Sequence, residues 1–219
     1  METEHDPIEG FAHHDGALSP ASQKQLLADL TAVMAAAPLY TPTMPRSGKQ
    51  LSVRMTNCGL LGWLTDQVGG YRYQATHPET GQPWPPIPSK LLSIWQTYAP
   101  DAPPPEACLI NAYAPSAKLG LHIDADEDDQ TTPVISVSLG ADAWFRLGGL
   151  KRRDPTARYK LMSGDIVVLG GPARRAYHGV DRIIPDTSTL LEDMPGLPPT
   201  LQSGRINLTL RRVTIAETA

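Results

Sequence analysis

Hydrophobic positions between residues 19 and 37 recur at the spacing of an amphipathic helix. The apolar side chains on one face of this helix are those of Leu26, Leu27, Leu30, Val33 and Met34. Ser19 is a suitable N-cap and Pro20 a suitable first helical residue, because the hydroxyl can accept from a free amide and proline lacks one. A second, shorter helix is predicted for "KLLSIWQTY", between two proline-rich loops.

The hydrophobic pattern changes after Ala107, where short apolar stretches alternate with turn-forming residues. The candidate strands are "ACLINAY", "LGLHID", "PVISVSLG", "AWFRLGG", "ARYKLMSG", "DIVVLGG", "RAYHGV" and "RINLTLRRV". About eight short strands at this spacing are typical of a sandwich or a jelly roll. Strand-like "LSVRMTN" and the glycine- and aromatic-rich "CGLLGWLTDQVGGYRY" precede them. The chain is therefore predicted to be mainly β with flanking helices, an α+β fold.

The last candidate strand has two contrasting faces. Arg205, Asn207, Thr209 and Arg211 alternate with Ile206, Leu208 and Leu210, and side chains on a strand alternate between its faces. The aliphatic residues can lie in the core with the arginines in water. Alternatively, the polar face can point inward at a negatively charged group. Alternation alone leaves both interpretations open.

Length and composition are those of one soluble domain. The chain has 219 residues, of which 41% are hydrophobic, with 22 prolines and 18 glycines that favour short strands and turns. We find neither an apolar run long enough for a membrane span nor a secretory signal. The two cysteines, Cys58 and Cys108, fit a reduced, cytoplasmic protein.

Charge is unevenly distributed along the chain. The net charge of −4 and the pI of about 5.8 argue against a nonspecific nucleic-acid binder. Residues 146–160, however, carry six basic side chains and one acidic one, and such a local basic segment can bind phosphates. Residues 124–129, "DADEDD", carry five acidic side chains.

Three residues have the composition of an iron site. His122 and Asp124 in "LHID" point to one face of a strand, and His178 in "AYHGV" lies in another candidate strand. Two histidines and one carboxylate form the facial triad of non-haem Fe(II) oxygenases. Taken alone, a His-x-Asp pair is a weak signal, because such pairs are common by chance.

A calcium loop is the alternative interpretation of "DADEDD". Position six of that loop is Asp129 rather than glycine and position twelve is Ile135 rather than glutamate, and both departures argue against an EF-hand. We therefore expect residues 127–129 to form a solvated turn. His5, His13, His14 and His77 are expected to be surface residues.

The motifs taken together identify a family. "ACLINAYAPSAKLGLHIDADE", "VISVSLG", "FRLGGLKRRDP", "SGDIVVLGGPARRAYHGV" and "RINLTLRR", together with "MTNCGLLGW" and "GQPWPPIP", closely resemble the AlkB family of Fe(II)- and 2-oxoglutarate-dependent nucleic-acid demethylases. The resemblance extends from about residue 51 to residue 212. It implies a double-stranded β-helix (jelly roll) core, with Fe(II) as metal and 2-oxoglutarate and O₂ as co-substrates.

The resemblance also implies a role for individual residues. The metal ligands and catalytic residues would be His122, Asp124 and His178. The residues that bind 2-oxoglutarate would be Asn111, Tyr113, Arg205, Asn207 and Arg211. The substrate-binding residues would be Met55, Trp63, Tyr71, Asp126 and Arg152. A flipped methylated base would lie between Trp63 and His122, under a flexible lid that includes Met55 and residues 56–58.

The chain departs from the family pattern at two points. It is one residue longer between Trp63 and Tyr71, so Tyr73 is the alternative phosphate contact, and Lys49 stands where a lid tyrosine is expected. Residues 1–18 are predicted to be a flexible lead-in and residues 19–106 to contain the helices and a nucleotide-recognition lid. Residues 107–219 would form the dioxygenase core of one compact domain.

The implied reaction is oxidative demethylation of N1-methyladenine and N3-methylcytosine in single-stranded or base-flipped DNA. It would release formaldehyde, succinate and CO₂. The alternatives are the same chemistry on methylated RNA or protein, or a noncatalytic jelly-roll module that binds nucleic acid or a sugar. The protein is expected to act as a monomer and without a membrane.

Overall fold

A computed structural model of the chain describes residues 8–215. Its strands are β1 (Phe11–His14), β2 (Val53–Gly59), β3 (Gly62–Asp66), β4 (Gly70–Gln74), β5 (Ala107–Tyr113), β6 (Leu119–His122), β7 (Val134–Gly140), β8 (Ala143–Leu147), β9 (Ala157–Leu161), β10 (Ile166–Leu169), β11 (His178–Ile183) and β12 (Arg205–Arg211). Its helices are α1 (Pro20–Ala36), α2 (Ser89–Tyr98) and the short α3 (Pro199–Gln202), with a 3₁₀ turn at Gly171–Arg175.

Both predicted helices are confirmed. The Ser19 hydroxyl accepts a hydrogen bond from the Ser22 amide at the start of α1, and Leu26 and Leu30 on its inner face are fully buried. Helix α2 buries Leu91, Ile94 and Trp95 in the same hydrophobic cluster. In residues 8–215, no helix has both the length and the apolar character needed to cross a membrane.

The strands form two principal antiparallel sheets and a separate hairpin. The larger sheet has the order β1-β10-β7-β12-β5-β2 and the smaller one the order β6-β11-β8-β9, while β3 pairs with β4. All eight strands predicted after Ala107 are present. Their distribution over two facing sheets is that of a double-stranded β-helix, so the predicted jelly-roll core is confirmed.

Strand β12 turns its polar face inward. Ile206, Leu208 and Leu210 are fully buried in the cluster that contains the inner faces of α1 and α2. The opposite face lines a cavity between the sheets, because β12 lies between β5 and β7 in the middle of the larger sheet. Arg212, the residue after this strand, is mostly buried, and its Nε lies 3.4 Å from Glu106 Oε2.

The lead-in contains a strand that the sequence did not predict. Phe11–His14 is β1 and pairs with β10, so the prediction of a flexible segment is wrong for these residues. His13 is not an ordinary surface residue either, because its Nε2 lies 2.9 Å from an oxygen of the fully buried Asp165. The rest of the prediction for residues 1–7, with His5, lies outside the described residues.

His77 is buried, although it was expected to be exposed. Its Nδ1 accepts hydrogen bonds from the amides of Glu79 and Thr80, and its Nε2 lies 2.8 Å from the Pro38 carbonyl oxygen. The ring therefore organises its own turn, which is a packing arrangement that a turn signal before proline does not reveal.

The segment predicted to be a flexible lid is part of the larger sheet. Strand β2 pairs with β5 along its whole length, and Thr56, Asn57 and Cys58 are fully buried. The lid prediction is therefore wrong for residues 56–58, because their side chains complete the core instead of covering a ligand. The hairpin β3–β4 is the element of the predicted recognition segment that borders the cavity with exposed side chains.

Candidate active site

A single cavity of about 620 Å³ lies between the two sheets. The residues predicted to bind the metal, 2-oxoglutarate and the substrate all line this cavity. The metal-ligand candidates on its wall are His122, Asp124 and His178, and the 2-oxoglutarate candidates are Asn111, Tyr113, Arg205, Asn207 and Arg211. The substrate candidates are Met55, Trp63, Tyr71, Asp126 and Arg152. Residues far apart in the chain thus share one chamber.

The pairing of β6 with β11 brings the predicted metal ligands together. His122 and His178 are cross-strand partners, and their ring centroids are 4.5 Å apart. Asp124 follows β6 directly, and its carboxylate oxygens lie 3.8 Å from Nε2 of His122 and 4.0 Å from Nε2 of His178. One ligand atom from each residue lies within 4.8 Å of the others, so the three residues can hold one metal ion.

The backbone orients both imidazole rings. Nδ1 of His122 lies 2.9 Å from the Gly120 carbonyl oxygen, and Nδ1 of His178 lies 3.0 Å from that of Ala176. A ring that donates from Nδ1 presents an unprotonated Nε2, which is the atom that faces Asp124 in both cases. These outer hydrogen bonds therefore fix the tautomer that a metal ligand requires.

Electrostatics give Asp124 and His178 the protonation states of metal ligands. Burial alone would raise the pKa of Asp124, but the Arg211 guanidinium, followed by the two histidines, holds that pKa well below its usual range. Burial, reinforced by His122, lowers the pKa of His178 to about 4. At neutral pH the site therefore offers a carboxylate and neutral imidazole, as Fe(II) binding needs.

Arg205 provides a buried cation at the wall of the cavity. Its Nη1 donates to the carbonyl oxygens of Ala141 and Leu161, at 3.1 and 3.3 Å, and its Nη2 donates to the Ser138 hydroxyl. Burial lowers its pKa to about 10, so it remains charged at pH 7. Its buried Nε has no hydrogen-bond partner among the described residues, which fits an anionic ligand such as a carboxylate.

Arg211 links the metal carboxylate to a second buried acid. Its Nη2 lies 2.9 Å from Asp124 Oδ2, and its Nε lies 3.3 Å from Glu127 Oε1. Asn111 and Asn207 are cross-strand partners on the same wall, at a position between Arg205 and Arg211. The amide of Asn207 already donates to Ser136 and Val137, whereas buried Oδ1 of Asn111 has no partner within residues 8–215.

Aromatic and charged side chains surround the opening of the cavity. Trp63 and Tyr71 stack with centroids 5.9 Å apart, and the indole N–H of Trp63 donates to Asp126 at 2.7 Å. Arg152 donates to the Leu121 carbonyl oxygen at 2.9 Å. Tyr71 is 49% exposed. The hairpin β3–β4 and the β8–β9 turn thus border the opening from two sides.

The structure shows where Tyr73 and Lys49, the residues at the two departures from the family pattern, lie. The Tyr73 hydroxyl points inward to Glu127, so Tyr71 is the tyrosine available at the opening. Lys49 is exposed and does not line the cavity. The hairpin turn between β3 and β4 spans residues 67–69, and Val68 in it is fully exposed.

The acidic turn is more deeply buried than predicted. Glu127 and Asp129 are 5% and 6% exposed, so the solvated-turn prediction is wrong for both, although Asp128 is exposed. Glu127 forms an ion pair with buried Arg174 at 3.0 Å. This pair is not predictable from the sequence, because Arg174 stands beside Arg175 and no local pattern separates a buried arginine from an exposed one.

Asp129→Ala is expected to lower the free energy of unfolding at pH 7 by about 2 kcal/mol, because hydrogen bonds to a charged group contribute roughly 1.5–3 kcal/mol. Burial would raise the pKa of Asp129, but hydrogen bonds from Thr132 and Thr131 lower it to about 2. Since this pKa lies below the unfolded value of about 3.9, the stabilisation is present above that pH and is lost as the pH falls through about 2.

Urea unfolding at pH 7 and pH 3 measures this effect. The difference between wild type and Asp129→Ala should narrow at pH 3, and the exposed neighbour provides the control, since Asp128→Ala should stay within about 0.5 kcal/mol of wild type. Equal losses in the two variants would contradict the structural role of Asp129.

Comparison with known proteins agrees with this geometry. The family model of the 2OG-Fe(II) oxygenase superfamily matches residues 10–211. The alpha-ketoglutarate-dependent dioxygenase AlkB homolog of Caulobacter vibrioides (strain NA1000 / CB15N) is 46% identical over 209 residues, which cover 95% of this chain and 90% of that protein. Alpha-ketoglutarate-dependent dioxygenase AlkB of Escherichia coli (strain K12) is 43% identical over 194 residues, covering 86% and 84%.

A solved structure and a more distant relative extend the comparison. The structure of OsALKBH1 has a TM-score of 0.76 and 31% sequence identity, and the match covers 95% of this chain and 100% of that chain. The tRNA demethylase abh1 of Schizosaccharomyces pombe (strain 972 / ATCC 24843) is 36% identical over 110 residues, which cover 49% of this chain and 36% of that protein.

These similarities and the site geometry converge on one chemistry. Fe(II) is the metal of this superfamily, and 2-oxoglutarate and O₂ are its co-substrates. The triad His122, Asp124 and His178 matches the iron-binding requirement, and the unpartnered donor of buried Arg205 matches an anionic co-substrate. The chain therefore belongs to the 2OG-Fe(II) oxygenase superfamily and, within it, to the AlkB family of dioxygenases.

Proposed function

We propose that this dioxygenase removes methyl groups from N1-methyladenine and N3-methylcytosine in single-stranded or base-flipped DNA. The observation that carries the proposal is the shared cavity. Its wall combines the iron triad, two buried arginines and the Trp63–Asp126 pair at the opening. A flat methylated base entering past Trp63 would meet the metal ligands without leaving the chamber.

The binding site for 2-oxoglutarate is proposed to lie on the inner wall of the cavity. Arg205 and Arg211 would balance the two carboxylates, since a guanidinium binds a carboxylate through a bidentate fork. Tyr113 is fully buried, and burial raises its pKa, so that its phenol stays protonated and can donate a hydrogen bond. Asn111 would contribute its amide, and Asn207, held by Ser136, would shape the wall.

Iron held by His122, Asp124 and His178 would supply oxidation of the methyl group with O₂ and 2-oxoglutarate. The products would be formaldehyde, succinate and CO₂. The protein contributes orientation and exclusion of water. The Gly120 and Ala176 carbonyl oxygens hold the imidazoles, and Arg211 keeps Asp124 ionised. The narrow opening beside Trp63 limits which groups reach the metal.

The binding site for the methylated base, the base seat, is proposed to lie between Trp63 and His122. An aromatic platform contributes about 1–3 kcal/mol per stacked base, which offsets the few kcal/mol that flipping costs. His122 is 36% exposed, more than the other triad residues, and it lies toward the opening. A cationic methylated base would be complemented by the exposed Asp126 carboxylate, which already accepts from Trp63.

The phosphate backbone is proposed to follow the basic turn between β8 and β9. Lys151, Arg152 and Arg153 are exposed there, whereas Arg146 and Lys160 are paired with Asp181 and Asp142. Within residues 8–215 these three cations have no carboxylate partner, so the turn can attract phosphates despite the negative net charge. Action as a monomer is proposed on the resemblance to the AlkB family alone. The cytoplasmic setting stays a prediction.

Trp63→Ala is expected to raise the KM for a methylated oligonucleotide by roughly tenfold or more, because about 1–3 kcal/mol of base stacking is lost. Trp63→Phe keeps a stacking ring but loses the hydrogen bond to Asp126, so its KM should lie between those of Trp63→Ala and wild type. Steady-state formaldehyde release measures both variants. A wild-type KM in Trp63→Ala would contradict the proposed base seat.

One assay separates the substrate classes. Formaldehyde and succinate release is measured with matched DNA and RNA oligonucleotides carrying one N1-methyladenine or N3-methylcytosine, with a methylated peptide, and with His178→Ala as control. The proposal expects turnover of DNA above RNA and none of peptide. RNA above DNA would support the alternative suggested by the partial similarity to the tRNA demethylase abh1. No turnover of any nucleic acid would contradict the proposal.

A further inference from the structure

Two hydrogen bonds connect the hairpin β3–β4 to the loop that carries the metal ligand Asp124. Trp63 and Tyr73 are cross-strand partners in the hairpin. Their side chains reach Asp126 and Glu127, which are adjacent in the chain, at 2.7 and 2.5 Å. The hairpin that borders the opening is therefore attached to the iron loop at two neighbouring points.

The two acidic residues that accept these hydrogen bonds have different surroundings. Asp126 is exposed at the opening of the cavity. Glu127 is 5% exposed and forms ion pairs with Arg174 at 3.0 Å and with Arg211 at 3.3 Å. Arg174 also donates to the backbone carbonyl of Asp124 at 2.7 Å. The Tyr73 hydroxyl therefore contacts a buried charge network that holds the iron loop, whereas the Trp63 indole contacts an exposed carboxylate.

Tyr73 also touches the arginine of this network directly. Its hydroxyl oxygen lies 3.4 Å from Nη1 of Arg211, and Nη2 of the same guanidinium lies 2.9 Å from Asp124. Burial raises the pKa of Tyr73, so the phenol keeps the proton that it donates to Glu127. A continuous path of contacts therefore runs from the hairpin through Tyr73 and Arg211 to the metal carboxylate.

We propose that Tyr73 is a positioning residue that couples nucleotide binding on the hairpin β3–β4 to 2-oxoglutarate binding beside Arg211. This inference rests on the proposed function, because it needs a nucleotide at the Trp63 opening and the co-substrate at the inner wall. A movement of the hairpin that follows base entry changes the contacts of Arg211 through the phenol. By reciprocity, co-substrate at Arg211 favours the hairpin position that receives the base.

The test measures this coupling by binding, without turnover. Affinity of the Fe(II)-loaded protein for a single-stranded DNA oligonucleotide with one N3-methylcytosine is determined anaerobically, with and without 2-oxoglutarate. Wild type is expected to bind about fivefold or more tightly with 2-oxoglutarate, the lower end of ordinary coupling. In Tyr73→Phe the ratio should fall to within about twofold of unity, because the ring remains and only the hydroxyl contacts are lost.

A matched control and a second readout separate coupling from general damage. Tyr98→Phe removes a hydroxyl from the outer helix α2, away from the cavity, and should keep the wild-type ratio. Under air, with ascorbate supplied as the two-electron reductant for turnovers that leave the methyl group unoxidised, Tyr73→Phe should release roughly threefold more succinate per formaldehyde than wild type, a stoichiometric effect that loss of folded protein alone does not produce. The melting temperatures of the two variants report on folding.

The outcomes are distinguishable. The coupling is overturned if 2-oxoglutarate changes the DNA affinity of Tyr73→Phe as much as that of wild type, or if it does not change the DNA affinity of wild type at all. Either result leaves the proposed demethylation intact. Failure of the wild-type protein both to bind the methylated oligonucleotide and to release formaldehyde from it overturns the proposed function, and the inference with it.

Discussion

His178→Ala is expected to abolish Fe(II)-dependent activity. The variant removes one of three ligands, and its ring is the more deeply buried of the two histidines, 10% exposed against 36% for His122. Changes in residues that merely orient a ligand cost roughly 10–100-fold in metal affinity or activity, so loss of a ligand should reduce formaldehyde release by at least about a hundredfold. The visible absorption band of the anaerobic Fe(II)–2-oxoglutarate complex should disappear as well.

A second histidine provides the control for this result. His14 lies on β1 with its ring tilted against that of Tyr98, and it does not line the cavity, so His14→Ala should keep both the absorption band and the activity. Circular dichroism establishes that both variants are folded. An Fe(II)-dependent band of wild-type strength in His178→Ala would contradict the triad and would favour a structural role for these polar residues.

Arg211→Ala is expected to weaken 2-oxoglutarate binding by about 30-fold or more, because truncating one partner of a buried charge pair costs roughly 2–5 kcal/mol. The adjacent Arg212→Ala is the matched control, since Arg212 lies on the other face of the chain and pairs with Glu106 and Thr214. Its affinity for 2-oxoglutarate should stay within about twofold of wild type, a change of under 0.5 kcal/mol. Anaerobic titration of the visible band measures both variants.

A conservative variant separates charge from geometry at this position. Arg211→Lys keeps the cation but loses the planar fork that reaches Asp124, so its affinity should fall between those of wild type and Arg211→Ala. Equal affinities for 2-oxoglutarate in Arg211→Ala and Arg212→Ala would show that the inward-facing Arg211 does not bind this ligand.

Local patterns were sufficient for much of the fold. The alternation of short apolar runs with turns predicts the eight core strands, and the helical spacing of Leu26, Leu30 and Val33 predicts α1 with its buried face. The inward direction of Arg205 and Arg211 needed more than alternation. It follows once an anionic co-substrate is implied by the triad, because buried guanidiniums need negatively charged partners.

The errors share a physical cause, which is pairing between distant parts of the chain. Glu127 reads as one acid of a solvated turn, but it is buried by Arg174, 47 residues away. His13 reads as part of a loose terminus, yet it meets the buried carboxylate of Asp165, 152 residues away. Tyr73 looks like a substitute for Tyr71, because residues two apart on a strand share a face, but its hydroxyl reaches Glu127, 54 residues away. Such contacts have no signature in local periodicity.

The most direct test of the central claim is the stoichiometry of one reaction. Purified protein is supplied with Fe(II), 2-oxoglutarate, O₂ and a single-stranded DNA oligonucleotide that carries one N3-methylcytosine, and both succinate and formaldehyde are quantified. The account predicts that the two products appear in equal amounts with the repaired base, and that His178→Ala forms neither. Wild-type protein that binds Fe(II) and 2-oxoglutarate but releases no formaldehyde from this DNA would contradict it.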